Sequence, residues 1–270
     1  MLRLPVITII FITLAGCDRT AKSQSPDRIV TPAESTNETE GKPATGNSLP
    51  ENQQAEQVAG PQVGSISGRL TYRVDVGRPW RYGRYYINRQ SGELADAIVC
   101  LASRSLRKYD ADKEQPQTWS MDQKNFEFQP ELLSIRAGDS VQFLNSDKAG
   151  HNVNASGAYD SFNVMTPVGG SLERTFARAG NETRPIDIRC DLHSQMRAWI
   201  YVFSHPFHQV TDTTGSFEFS DVPDGDYDLV AIHPAGRLRL KQPIRIIGGN
   251  EATVEVSLSP DDLIGSSTSN

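Results

Sequence analysis

Between Cys190 and Met196 the chain reads CDLHSQM, a thiol, an imidazole and a thioether at Cys-x2-His-x2-Met spacing. A deprotonated thiol and a thioether are soft donors and an imidazole is intermediate, so the trio suits a transition metal. The same side chains have plainer readings, as a half-disulfide, a surface histidine and a core methionine. The chain holds three cysteines, Cys17, Cys100 and Cys190. With Cys17 set aside, an even pair in an oxidising compartment is ordinarily a disulfide. Cys100, however, lies inside the apolar run AIVCLA, where a buried free cysteine behaves as a small hydrophobe. Spacing alone leaves the choice open.

Copper held by one thiolate, two imidazoles and a weak thioether is an electron-transfer site. It requires Cys, His and Met on one tight loop and a second His from a distant strand. NSDKAGHNV supplies such a histidine at His151, after the strand-like SVQFLN. The stretch from Gln117 to Phe203 resembles the cupredoxin family, of which plastocyanin and amicyanin are members. FEFQPELLSIRAGDSVQFLNSDKAGHNV is similar to its F-x-P, I, G-D, V-x-F-x-N, H-N-V progression, and CDLHSQM followed by RAWIYVF to its ligand loop and last strand. The resemblance implies one type 1 copper site with His151, Cys190, His193 and Met196 as ligands, the histidines through Nδ1. It also implies that Asn152 ties the two ligand loops together. Ser194 and Gln195 depart from the Pro-aromatic pair often found there, which questions the apolar surface around His193.

From Gly64 onward short strands alternate with Gly, Pro, Asn and Asp, and helical periodicity never persists beyond a turn or two, so the fold class is all-β. Clear strands include ISGRLTYRV, AIVCLA, LLSIRA, SVQFLN, IDIRC, AWIYVF, SFEFSDV, YDLVAI and ATVEVSL. TDTTGSFEFSDVPDGDYDLVAIHPAGR resembles the second half of the carboxypeptidase-regulatory-like β-sandwich, a transthyretin-like fold, and GSISGRLTYRV with GELADAIVCL its first half. Unmatched strand edges invite pairing. The expected order is therefore a first half-sandwich over 64–114, a cupredoxin Greek-key sandwich over 115–204, a second half over 205–260 and a tail over 261–270. The cupredoxin is inserted in, or followed by, the small sandwich, and strands from 64–108 are expected beside strands from 212–258.

The N-terminus has one early charge, Arg3, and an apolar run from Leu4 to Leu14 that ends in LAGC. Such a run is too short to span a bilayer and reads as an export signal. LAGC resembles the lipobox of bacterial lipoproteins, which implies a signal peptide over 1–16 and a lipid on Cys17. An ordinary secretory signal cut near Ala15 or Gly16 is the alternative. Residues 18–63 are polar and hold no Phe, Trp or Tyr, so they cannot bury a core. The stretch 17–63 reads as a tether, with a reach of about 35 to 40 Å for a coil of about 45 residues.

The formal charge of −6 argues against nucleic acid as a partner. Residues 64–114 carry ten bases and six acids, and residues 205–270 four bases and ten acids, so the flanks differ in sign. RPWRYGRYYINRQ, 78–90, interleaves arginines with aromatics and reads as an exposed hairpin or loop, with docking to an acidic partner as the sharper alternative. His205, His208 and His233 read as turn and interface residues, with a second metal site as the alternative. No Ser-His-Asp grouping, phosphate loop or paired catalytic carboxylates emerges, so no enzyme activity is expected. The expectation is a blue copper protein of the bacterial cell envelope, anchored to a membrane through Cys17 and carrying single electrons between redox protein partners. The alternative is a non-redox binding or structural module for polysaccharide or protein, with a metal-free cupredoxin fold.

Overall fold

The computed structural model describes residues 62–78, 91–108, 115–157, 159 and 161–265. Cys17, the leader, the tether through residue 61 and residues 79–90 of the arginine-aromatic segment lie outside the described residues.

The described chain is nearly all strand. β1 (Val63–Tyr72) and β2 (Ile98–Ala102) come first. There follow β3 (Thr118–Lys124), β4 (Glu127–Gln129), β5 (Leu132–Arg136), β6 (Ser140–Asn145), β7 (His151–Ser156), β8 (Phe162–Thr166), β9 (Ser171–Thr175), β10 (Ile186–Arg189) and β11 (Arg197–Phe203). The last are β12 (His208–Val210), β13 (Ser216–Pro223), β14 (Gly225–His233), β15 (Leu238–Ile246) and β16 (Glu251–Leu258). β15 was not apparent in the sequence because Pro243 interrupts it. Proline is tolerated there because β15 is the last strand of the order β12-β2-β14-β15, where an N–H is dispensable.

Side-chain alternation sorts these strands into four sheets. β6 turns Val141, Phe143 and Asn145 to one side, as a period of two requires. The sheets β4-β3-β6-β9 and β5-β11-β10-β7-β8 enclose one core, which holds Met121, Phe143, Ile188, Ile200 and Val202. The sheets β13-β1-β16 and β12-β2-β14-β15 enclose another, with Ile66, Leu70, Leu101, Phe217 and Leu229. In the second pair the early and late strands interleave: β1 runs antiparallel to β13 and parallel to β16, and β2 lies between β12 and β14. Gly68 lets this sheet close, because a Cβ there would sit 2.1 Å from Val254 O and 2.5 Å from the Phe217 ring.

A third cluster joins the two sandwiches. Trp199, Tyr201 and Phe203 of β11 and Leu132 of β5 pack on Ile98 and Cys100 of β2 and Val230 and Ile232 of β14. The other faces of the same strands belong to the two cores described above. β2, β11 and β14 are therefore buried on both sides. That is why AIVCLA, AWIYVF and YDLVAI read as continuous apolar runs and not as alternating ones. Arg239 of β15 pairs with Glu182 at 3.9 Å, so a polar contact also crosses the seam.

Candidate metal centre

His151 opens β7 directly after the turn at 146–150. Asn145, at the end of β6, shapes that turn by donating from Nδ2 to Ala149 O (2.9 Å) and to Thr166 O (2.8 Å). Cys190 follows β10 and Met196 precedes β11. The loop between them is closed by Met196 N to His193 O (3.0 Å) and Cys190 N to Met196 O (3.3 Å). Two strand ends and one loop thus meet at the edge of the sandwich.

His151, Cys190 and His193 converge there. Their Nδ1 atoms are 3.0 Å apart, and Cys190 Sγ lies 3.8 Å from His151 Nδ1 and 3.6 Å from His193 Nδ1. A point in the plane of the three atoms is about 2.0 Å from each, a metal–imidazole bond length and a little under the roughly 2.3 Å of metal–thiolate. A small outward shift of the sulfur would accommodate an ion, so the donor set fits a soft transition metal. Among the described residues these three form the grouping of His, Cys and acidic side chains able to hold one. His151 and Cys190 are buried and His193 is half-buried, so His193 is the edge of the site nearest solvent. Met196 is fully buried in the same core cluster as Cys190.

Asn152 spans the two loops. Its Oδ1 accepts from Asp191 N at 2.7 Å and lies 3.3 Å from Cys190 Sγ. Its Nδ2 donates to Asp191 Oδ2 (3.0 Å) and to Asn163 Oδ1 (2.6 Å). Asp191 in turn accepts from Asn154 and Asn163. Hydrogen bonds from Asn154, Asn163 and Asn152 hold its carboxyl below the usual carboxylate range.

Two further residues of the site escaped the sequence. Asp147 Oδ2 lies 2.8 Å from His151 Nε2. Burial opposes its ionisation, but hydrogen bonds from Phe126 N, His151 and Asn125 N outweigh burial and keep the carboxyl below its ordinary value. Phe126 meets His151 and His193 at near-perpendicular ring angles, with centroids 5.5 and 4.9 Å away. Asp147 stands four residues before His151 in NSDKAGH, so an acid beside a ligand was a readable signal. Phe126 is joined to both histidines by folding alone. It sets one aromatic ring beside both histidines despite Ser194 and Gln195.

The remaining candidates lie elsewhere. Cys100 and Cys190 are both free, so the disulfide alternative does not hold. Cys100 lies in the seam, where burial pushes its thiol far up. His205 and His233 are buried, and His208 is half-buried in β12. His208 stacks on Phe203 at 4.4 Å and meets Ser134 Oγ through Nδ1 at 2.5 Å, a contact across the seam.

Residues 117–202 match the family model of copper binding proteins, plastocyanin/azurin family. The match supports a cupredoxin copper-binding domain over those residues. The chain is also similar to solved structures. One is a mutant of amicyanin with Cu(I), at 19% identity over 40% of this chain and 98% of that one, with a TM-score of 0.28. Another is a purple cupredoxin from Nitrosopumilus maritimus, at 18% identity over 31% and 98%, TM-score 0.27. A copper-containing nitrite reductase from Thermus scotoductus matches at 22% identity over 35% of this chain and 24% of that one, TM-score 0.29. No curated protein matches the chain.

Proposed function

We propose that the protein carries single electrons through one type 1 copper site and is held to a bacterial membrane by a lipid on Cys17. The observation that carries this reading is the convergence of His151 Nδ1, His193 Nδ1 and Cys190 Sγ on one point. Copper in such a site supplies a reversible one-electron change between Cu(I) and Cu(II).

The chain's own residues account for the rest. Cys190 contributes a thiolate, and His151 and His193 contribute imidazoles. Met196, fully buried in the same core cluster as Cys190, would supply the weak thioether donor. The loop hydrogen bonds and Asn152 hold the donors in one arrangement, as would suit a metal that changes oxidation state. His193 is the most exposed of the three converging donors, so it is the edge through which a partner would exchange electrons. A set of four protein donors requires no open position, which suits a carrier more than an enzyme. Residues 64–114 and 205–260 are taken as one transthyretin-like sandwich with the cupredoxin inserted, and the interleaving of β1 and β2 with β13, β14 and β16 supports this. The tether would let the folded part reach redox proteins away from the membrane surface.

The test is addition of Cu(II) to purified protein. An intense blue thiolate-to-copper band is expected, and Cys190→Ser should abolish it. A protein that takes up no copper, or a Cys190→Ser variant that keeps the band, would contradict the assignment.

A further inference from the structure

We infer that Asp147 is the positioning residue of this site: one carboxylate fixes the proton of His151 and holds Phe126 against both histidines. An ionised carboxylate only accepts hydrogen bonds. The 2.8 Å contact to His151 Nε2 therefore places the ring proton on Nε2, and Nδ1 is left as a bare lone pair among the other donors. His193 Nδ1 lies 3.0 Å from that lone pair, so the two imidazoles face one another through Nδ1.

The same carboxylate has a second task. Lys124 and Glu127 pair across a two-residue hairpin turn, whose central residues, Asn125 and Phe126, have φ of 57° and 59°. Positive φ at both positions is the type I′ turn, which ordinarily takes Asn-Gly. An aromatic residue in the left-handed region is disfavoured by the clash of its Cβ with the backbone, so something must hold it there. Asp147 Oδ1 accepts from Asn125 N at 2.6 Å and Oδ2 from Phe126 N at 2.9 Å. Asp147 is itself set by its own N–H, which donates to Asn145 Oδ1 at 3.1 Å. The unusual turn delivers the Phe126 ring to the two histidines, and one side chain links the turn to the buried ligand.

The decisive measurements use metal-free protein and are independent of the copper reading. In the native chain the His151 Nε2 proton should give a slowly exchanging nuclear magnetic resonance signal, and the amides of Asn125 and Phe126 should be protected. Asp147→Leu removes every acceptor. The ring signal should be lost, and both amides should exchange about tenfold faster, equivalent to one hydrogen bond each, while the amides of β10 and β11 stay protected. Asp147→Asn leaves one acceptor oxygen for three donors, so at least one of those protections should fall. It decides the matter if the leucine variant unfolds. Retention of the ring proton and both amide protections in the variants would overturn the inference. One further measurement rests on the proposed copper function. In copper-loaded Asp147→Asn the reduction potential should rise, because a negative charge beside a ligand favours the more positive ion, and a fall would contradict the assignment.

Discussion

Met196 is the residue whose role the proposed ligand set defines most narrowly. A weak axial thioether tunes the potential without holding the ion, so Met196→Gln should lower the reduction potential and keep the blue colour. Copper titration and voltammetry of the variant check this, and loss of copper binding would mean that Met196 serves the core alone. Legibility at this scale followed distance along the chain. Cys190, His193 and Met196 lie on one loop, so their spacing was visible, and His151 was recognisable from the strand before it. Asp147 shares that turn with His151, yet its use depends on the turn delivering its carboxylate to the far side of the ring. Phe126 reaches His193 across strands distant in sequence, and no local pattern announces that contact.

β12 is the short element on which the seam depends, and it brings His208 beside His205. Burial lowers His205 to about 4 and His208 to about 3. His205 and Arg136 add to the lowering of His208, and Asp139 opposes it. His208 Nε2 is buried without a partner, which favours the tautomer donating from Nδ1 to Ser134 Oγ. Both folded values lie below the ordinary 6.5, so the unfolded chain binds more protons at mildly acidic pH. The stability associated with the neutral rings is full above about 6.5 and drains as pH falls towards 4 and 3, at about 1.4 kcal/mol per pH unit for each histidine. Urea unfolding at pH 7, 5.5 and 4.5 should show falling midpoints, with a shallower fall when both histidines are replaced by phenylalanine. Equal midpoints in the native protein would contradict the burial of the pair. The sequence marked these histidines as turn and interface residues, but β12 was too short and too polar to announce itself as a strand.

Across the whole described chain, four sheets stack through three apolar clusters, and the middle cluster decides how the sequence reads. Alternating strands such as SVQFLN were legible because one face meets a core and the other meets water. AIVCLA, AWIYVF and YDLVAI were legible as strands, but their lack of alternation has its reason in the second buried face, which belongs to the seam. β3, β8 and β9 were harder to see because most of their side chains remain at least partly exposed, so too little apolar pattern marks them. The metal site lies beyond the ends of β6 and β10, while the seam uses the outer face of β11, and so the packing that joins the sandwiches leaves the His193 edge accessible. The central claim, a carrier of single electrons, is tested most directly by a spectroelectrochemical titration of copper-loaded full-length protein. The account predicts one copper per chain and a blue band that bleaches and returns reversibly with a one-electron dependence on potential. A band that does not respond to potential, or a transition that fits two electrons, would contradict it.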